Sequence, residues 1–408
     1  MSQASVSAPG PHLAVMTPSE RLASGSLALV FALRMLGLFL VLPVFMLEAR
    51  QYPGGDDVAL VGLAMGAYGL TQAVMQMPLG LASDRWGRKR VILLGLAVFA
   101  LGSAVAAWAP NVHALLVGRA LQGAGAVGAA ITALLADQTR DAVRTKGMAL
   151  VGASIGLVFA LSLVVAPPLA AAWGLPGVFG LTLVLALAAM AVVQWVTPPE
   201  PPRTAPPARG TWRQAWGGVW RHPSLWRLNL GVWALHAVQL AMWMAVPALL
   251  SHAGLPAAQH WQVYLPAVAG SFLLMGGLFA LERRGHMRAV LRAAVALLLL
   301  VQLALFALSL ASPGVGALAA CLFLFFVAFN VLEASQPSLV SRLAPPQARG
   351  AALGLYNTLQ SVGFFMGGAV GGSLVKWAGT PALFAATSLT VLVWLVLGWG
   401  IRVPAVAR

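Results

Sequence analysis

Four ionisable side chains stand inside long apolar runs: Arg34, Arg119, His236 and Glu333. A charge at such a depth costs about 3 kcal/mol on insertion scales, so each must face water, find a partner or become neutral. Glu333, in Phe329-Asn330-Val331-Leu332-Glu333-Ala334, is a carboxyl able to cycle between a neutral and a paired form, which suits a proton carrier. A structural pair with an intramembrane base accounts for it equally. A histidine suits a second proton site; the plainer reading of His236 is a hydrogen-bonded packing residue. Arg34 reads as a counter-charge that shapes a cavity. Arg119 must turn toward a cavity or a polar partner.

A second group is polar and uncharged. Tyr68, Thr71, Gln72 and Gln76 share one apolar run, Gln239 follows His236, Asn330 precedes Glu333, and Asn357 and Gln360 lie near the C-terminal end. Tyr68, Gln72 and Gln76 recur one helical turn apart and fall on one face. These groups either line a substrate path or hydrogen-bond between helices. A path lined this way is mostly apolar, which favours lipophilic substrates over sugars, whose hydroxyls need many partners.

Other chemistry is excluded. The apolar runs hold no H-E-x-x-H and no paired acids, so the parts of a metal centre or of an acid–base pair are missing. The lone cysteine, Cys321, reads as a packing residue. Gly123-Ala124-Gly125-Ala126-Val127-Gly128 spells G-x-G-x-x-G, but a dinucleotide site needs a preceding strand. Here an arginine-bearing apolar run is expected to pass straight through, and small residues there permit close helix packing.

The elements that position these residues follow from composition. Of 408 residues, 60% are hydrophobic and 9% charged, and mean hydropathy is +0.85. Soluble domains carry about 25% charged residues, so lipid is the solvent of this chain. Spans of about 20 apolar residues are predicted near 25–47, 58–83, 91–109, 112–137, 146–172, 176–197, 225–250, 261–281, 289–311, 314–342, 347–375 and 380–401. The net charge of +15 is a topology signal and not a nucleic-acid footprint, because the basic residues sit in short loops between spans. With the N-terminus inside, 21 of the 25 lysines and arginines fall on the inner side; Arg50 and Lys376 fall outside. Both termini are therefore expected in the cytoplasm.

The predicted organisation is an N-terminal tail (1–24), a six-helix bundle (25–197), a linker (198–224), a second six-helix bundle (225–401) and a short tail (402–408). The linker is rich in proline and arginine. Trp212, Trp216 and Trp220 recur within it at helical spacing, which predicts a short helix lying on the inner membrane face. The two halves echo each other: Arg144-Thr145-Lys146-Gly147 opens helix 5 and Arg349-Gly350-Ala351-Ala352 opens helix 11, while Glu282-Arg283-Arg284-Gly285 is a degraded copy of the loop after helix 2.

That loop, Gly80-Leu81-Ala82-Ser83-Asp84-Arg85-Trp86-Gly87-Arg88-Lys89-Arg90, carries G-x-x-x-D-R-x-G-R-K. It resembles the loop signature between helices 2 and 3 of the major facilitator superfamily. Leu115 to Gly123 resembles that superfamily's helix 4 pattern, L-x-x-x-R-x-x-Q-G. The resemblance implies an all-α membrane protein with twelve transmembrane helices in two pseudo-symmetric halves. It also implies a gating latch of Gly80, Asp84, Arg85, Gly87, Arg88 and Asp137, in which Asp84 meets the start of helix 11 and Arg88 pairs with Asp137. Arg119 is then implicated in proton coupling beside Glu333, His236 and Arg34. Segments 34–43, 68–73 and 329–334 are similar to YajR-type proton-driven efflux transporters of bacterial inner membranes. Those relatives append a soluble domain after helix 12, whereas this chain ends at Arg408. Helix 5 departs from the drug-antiporter pattern by keeping Pro167 without the flanking glycines. The implied function is a proton-coupled exporter of lipophilic molecules or drugs by alternating access. It is a monomer in the bilayer of a bacterial inner membrane, with protons and a small molecule as partners and neither cofactor nor metal. A proton-driven importer of the same fold is the alternative.

Overall fold

The computed structural model describes residues 15–201, 222–281, 286–345 and 349–401. The expected interfacial helix with its three tryptophans, the 282–285 echo and the C-terminal tail lie outside these. All regular structure among the described residues is helical. The membrane helices are α1 (Pro18–Val41), α2 (Val58–Trp86), α3 (Arg88–Ala107), α4 (Val112–Asp137), α5 (141–173), α6 (175–196), α7 (Pro223–His252), α8 (Trp261–Leu281), α9 (Met287–Ser309), α10 (Val315–Leu343), α11 (349–378) and α12 (380–398). Twelve helices thus stand where twelve were expected.

Two boundaries differ for local reasons. Helix α1 starts at Pro18 and not near 25, so the last part of the expected tail is helical. The Thr17 hydroxyl accepts from the Glu20 amide at 3.2 Å and the Glu20 carboxylate accepts from the Thr17 amide at 2.8 Å, a reciprocal cap with proline in the first turn. Helix α4 does not run straight through its glycines. It breaks at 125–127, where Gly125 presses on the backbone of Gly95 and Phe99 in α3.

The α5–α6 and α11–α12 corners are built alike. Each turns at a glycine with positive φ, Gly174 (58°) and Gly379 (79°), two residues before a proline. Only glycine adopts that conformation cheaply, and the proline restarts the helix. Both corners lie the same interval beyond the arginine, Arg144 or Arg349, that opens the preceding helix. This internal repeat supports the two-halves reading.

Leucines at 157, 187, 273 and 389 are exposed on the outer faces, and exposed tryptophans mark both ends: Trp86, Trp195 and Trp399 at one, Trp108, Trp173 and Trp377 at the other. Apolar flanks with aromatic rims are what a bilayer requires. The end bearing Gly80–Arg90 is called the basic end below, and the opposite one the far end.

Candidate functional site

The two halves meet most closely along α2 and α11. A methyl group on Gly66 would sit 2.8 Å from the Phe365 carbonyl, and one on Gly372 would sit 2.7 Å from the Val58 carbonyl. Backbones this close are held by dispersion, the main attraction between helices in lipid. Two polar contacts reinforce the seam: Gln72 donates to the Ser361 hydroxyl at 3.1 Å, and Lys376 pairs with Asp57 at 2.8 Å at the far end. Asp57 also caps α2, accepting from the Ala59 and Leu60 amides. The hydrogen bond from Lys376, aided by those amides, holds the Asp57 carboxyl below the usual carboxylate range.

The seam opens toward the basic end. Gly80 lies about three turns beyond Gly69 on the same α2 face, and Gly354 and Gly350 continue the Gly372–Gly368–Ser361 face of α11. Among the described residues, a methyl on Gly350 or Gly354 would meet nothing within 4 Å, and one on Gly80 would touch only Ala129 of its own half. The helices therefore splay from a tight far end to an open basic end.

Near mid-membrane each half contributes a charged cluster. In the N-terminal half, Arg34 Nη2 donates to the Tyr68 hydroxyl at 2.9 Å, and the Arg119 guanidinium lies 4.9 Å from the centroid of the same ring. Arg119 Nη1 donates to Gln122 Oε1 at 2.8 Å, and Gln122 Nε2 donates to the Ser103 hydroxyl at 2.8 Å. The R-x-x-Q spacing thus has a physical role: the glutamine, one turn on, fixes the arginine. Tyr68 and Arg119 reach a narrow cleft between the halves, walled by Leu38, Leu42 and Met65 on one side and Leu240 and Phe364 on the other.

In the C-terminal half, Glu333 of α10, His236 of α7 and Gln360 of α11 converge. His236 Nδ1 lies 2.9 Å from the Val232 carbonyl. A carbonyl only accepts, so Nδ1 carries a hydrogen. His236 Nε2 is left facing the Gln360 amide at 2.7 Å and Glu333 Oε2 at 3.3 Å. The last contact is an ion-pair approach without good hydrogen-bond direction, since Oε2 has no directed donor. Gln360 also donates to Glu333 Oε1 at 3.3 Å. The histidine is 2% exposed and the carboxylate 39%, so the acid is the more exposed member. Phe364 packs edge-on to His236 at 5.0 Å and lines the cleft, so one ring separates the two clusters.

At the basic end, Gly87 turns α2 into α3 with φ 109°, and Arg88 gathers the loop. It pairs with Asp84 at 2.5 Å and Asp137 at 3.1 Å, and donates to Ser83 at 2.8 Å. The expected Arg88–Asp137 contact is therefore present. The expected partner of Asp84 is the start of α11 near Gly350, and residues 346–348 just before it lie outside the described residues. Arg85 is exposed.

The comparisons with known proteins agree with this architecture. The sequence profile of the Major Facilitator Superfamily matches residues 27–368. The chain belongs to the major facilitator superfamily. Among superfamily members it is 39% identical over 390 residues to the inner membrane transport protein YajR of Escherichia coli (strain K12), covering 95% of this chain and 85% of that one. It is 35% identical over 137 residues to the class B tetracycline resistance protein of Escherichia coli, covering 33% of this chain and 34% of that one. The crystal structure of a point mutant of the nucleoside transporter NupG superposes with a TM-score of 0.75 at 15% identity, covering 93% of this chain and 99% of that one; this shares the fold. The chain is thus a multi-pass membrane transporter of small molecules and not an enzyme.

Within this superfamily fold the expected polar lining divides. Thr71 donates to the Ala120 carbonyl at 2.7 Å and Asn330 to the Ser271 hydroxyl at 2.8 Å. Both tie helices together, so the interhelical alternative describes them. Gln72 stands at the seam, Gln360 in the C-terminal cluster and Tyr68 at the cleft. Gln76 and Gln239 are buried, and Asn357 is exposed. Sequence reasoning missed Glu200. Its carboxylate accepts from the Arg88 and Lys89 amides at 3.0 and 2.5 Å, capping α3 from the start of the linker. It missed the Asp57–Lys376 bridge too, although Lys376 stood out as one of two basic residues expected outside.

Proposed function

We propose that this superfamily member is a proton-coupled exporter of lipophilic small molecules that works by alternating access. The observation that carries the reading is the Glu333–His236–Gln360 cluster, a partly exposed carboxyl beside a buried imidazole, one ring away from the inter-half cleft. When the pair takes a proton, its net charge rises from −1 to zero, and the cost of holding it in low dielectric falls. That difference biases the balance between the two states. The positive-inside bias assigns the basic end to the cytoplasm, so the splay along α2 and α11 corresponds to an inward-open state. Arg88, Asp84 and Asp137 then form the latch at the inner face, and Asp57–Lys376 holds the outer face shut. Similarity to tetracycline and multidrug resistance proteins favours export of lipophiles.

The test is reconstitution. Purified protein is screened for binding against a panel of dyes and metabolites, and each binder is followed in liposomes with and without a pH gradient. Flux of at least one binder should accelerate in the gradient. Glu333→Gln should lower gradient-driven flux by about tenfold or more and retain downhill exchange. Gradient-driven flux that survives intact in Glu333→Gln removes this residue as the proton carrier.

A further inference from the structure

The two buried arginines of the N-terminal half are Arg34 and Arg119, at 2% and 1% exposure. Every partner they have is neutral: the Tyr68 hydroxyl, Gln122 Oε1, the Met65 carbonyl and the rings of Phe99 and Tyr68. No acidic side chain pairs with either among the described residues, and the Nε of each is buried without a hydrogen-bond acceptor. Two positive charges at mid-membrane depth with no counter-charge are costly. Ring faces and amide oxygens orient them but leave a net charge of +2.

Arg119 and Tyr68 line a narrow cleft whose other walls are apolar and come from both halves, and Arg34 joins it through the Tyr68 hydroxyl. A cation entering it would meet two uncompensated guanidiniums in low dielectric, where repulsion is strong. A neutral lipophile would gain only contact area. A monoanion gains charge-assisted hydrogen bonding from the arginine side and burial of its hydrocarbon part against Leu38, Leu42, Leu240 and Phe364.

We propose that this cleft binds amphipathic organic monoanions, with Arg34 and Arg119 as counter-charges to the anionic head and the apolar walls holding its body. The proposal rests on the transporter reading and names its substrate class: lipophilic organic acids in place of the cationic lipophiles that multidrug exporters suggest. Because the walls belong to both halves, the bound acid bridges α1–α2–α4 to α7–α11 and is positioned to be carried when the halves rock.

A matched ligand set tests it. Three carboxylates (benzoate, 1-naphthoate and decanoate) are compared by calorimetry on the full-length protein with their neutral amides and with 1-naphthylmethylammonium. At least one carboxylate should bind about tenfold more tightly than its amide, and the ammonium should not bind. Arg34→Gln and Arg119→Gln should each erase the preference for the carboxylate. Tyr68→Phe keeps the ring over Arg119 and loses the bridge to Arg34, so it should weaken carboxylate binding and leave amide binding unchanged. If an arginine variant fails to fold, the wild-type comparison and Tyr68→Phe decide. Carboxylates that bind no better than their amides overturn the proposal. The exporter reading is scored separately: pH-driven flux of cationic dyes without carboxylate preference sinks the anion site and spares the exporter. Carboxylate binding with no pH-driven flux keeps the anion site and sinks the coupling.

Discussion

At the residue scale, the basic-end loop is held by few atoms that each do more than one task. Arg88 satisfies Asp84, Asp137 and Ser83 with one planar fork, a geometry that an ammonium cannot reproduce. Asp84→Asn is therefore predicted to abolish or strongly reduce transport at unchanged expression, and Arg88→Lys to reduce it partially. Flux in liposomes beside an immunoblot of the membrane fraction checks both. Wild-type flux in Asp84→Asn removes the latch. Glu200 is the cap that α3 lacks locally, since Gly87 offers no side chain. Glu200→Ala should cost about 1 kcal/mol, the ordinary worth of a helix cap, read as a lowered midpoint in thermal unfolding in detergent. Glu200→Asp, whose shorter side chain loses reach, should fall between.

At the element scale, glycines set where the α2–α11 pair is close-packed and where it is open. At the far end the small residues are required, because a methyl on Gly66 or Gly372 meets backbone oxygen and overpacking costs about 1–3 kcal/mol. At the basic end the same faces carry Gly80, Gly350 and Gly354, with open space across the seam. This separates two outcomes by position. Gly66→Val should lower the unfolding midpoint. Gly80→Leu should leave it unchanged and still block transport, because the leucine obstructs closure of the basic end in the alternate state. Equal stability loss at both positions contradicts the splay. The far-end bridge adds a pH signature. Asp57 has its acidity enhanced by Lys376; a depressed carboxyl contributes its stabilisation above its unfolded value and loses it as pH falls through the depressed folded value. The bridge should thus survive mild acidification and fail only below the ordinary carboxylate range. Cysteine reporters at the far ends of α2 and α11 should show rising accessibility there, and already at neutral pH in Lys376→Gln.

At the scale of the whole molecule, the twelve spans and their pairing into halves were legible in the chain. Lipid imposes a length and an apolarity on each helix, and the basic loops alternate with them. The repeated corner at Gly174 and Gly379 was equally present in the letters, as a glycine two residues before a proline in each half. The break in α4 was not; it falls where Gly125 lies against the backbone of Gly95 in α3, a neighbour distant in sequence. The polar residues divided for the same reason. Thr71 and Gln72 are adjacent in sequence, yet one ties α2 to α4 and the other reaches α11; sequence spacing fixes a helical face and leaves open what that face meets. His236 and Glu333 read as separate candidates from sequence, and only the packing of α7 against α10 brings them within 3.3 Å of each other. The chain by itself determined the solvent, the number of helices and the charged loop between helices 2 and 3, since these follow from composition, periodicity and local charge. Tertiary structure decided which buried charges are partnered. Glu333 has a base beside it, while Arg34 and Arg119 share a tyrosine and no acid, because pairing in a bilayer depends on contacts between distant segments that no local pattern encodes.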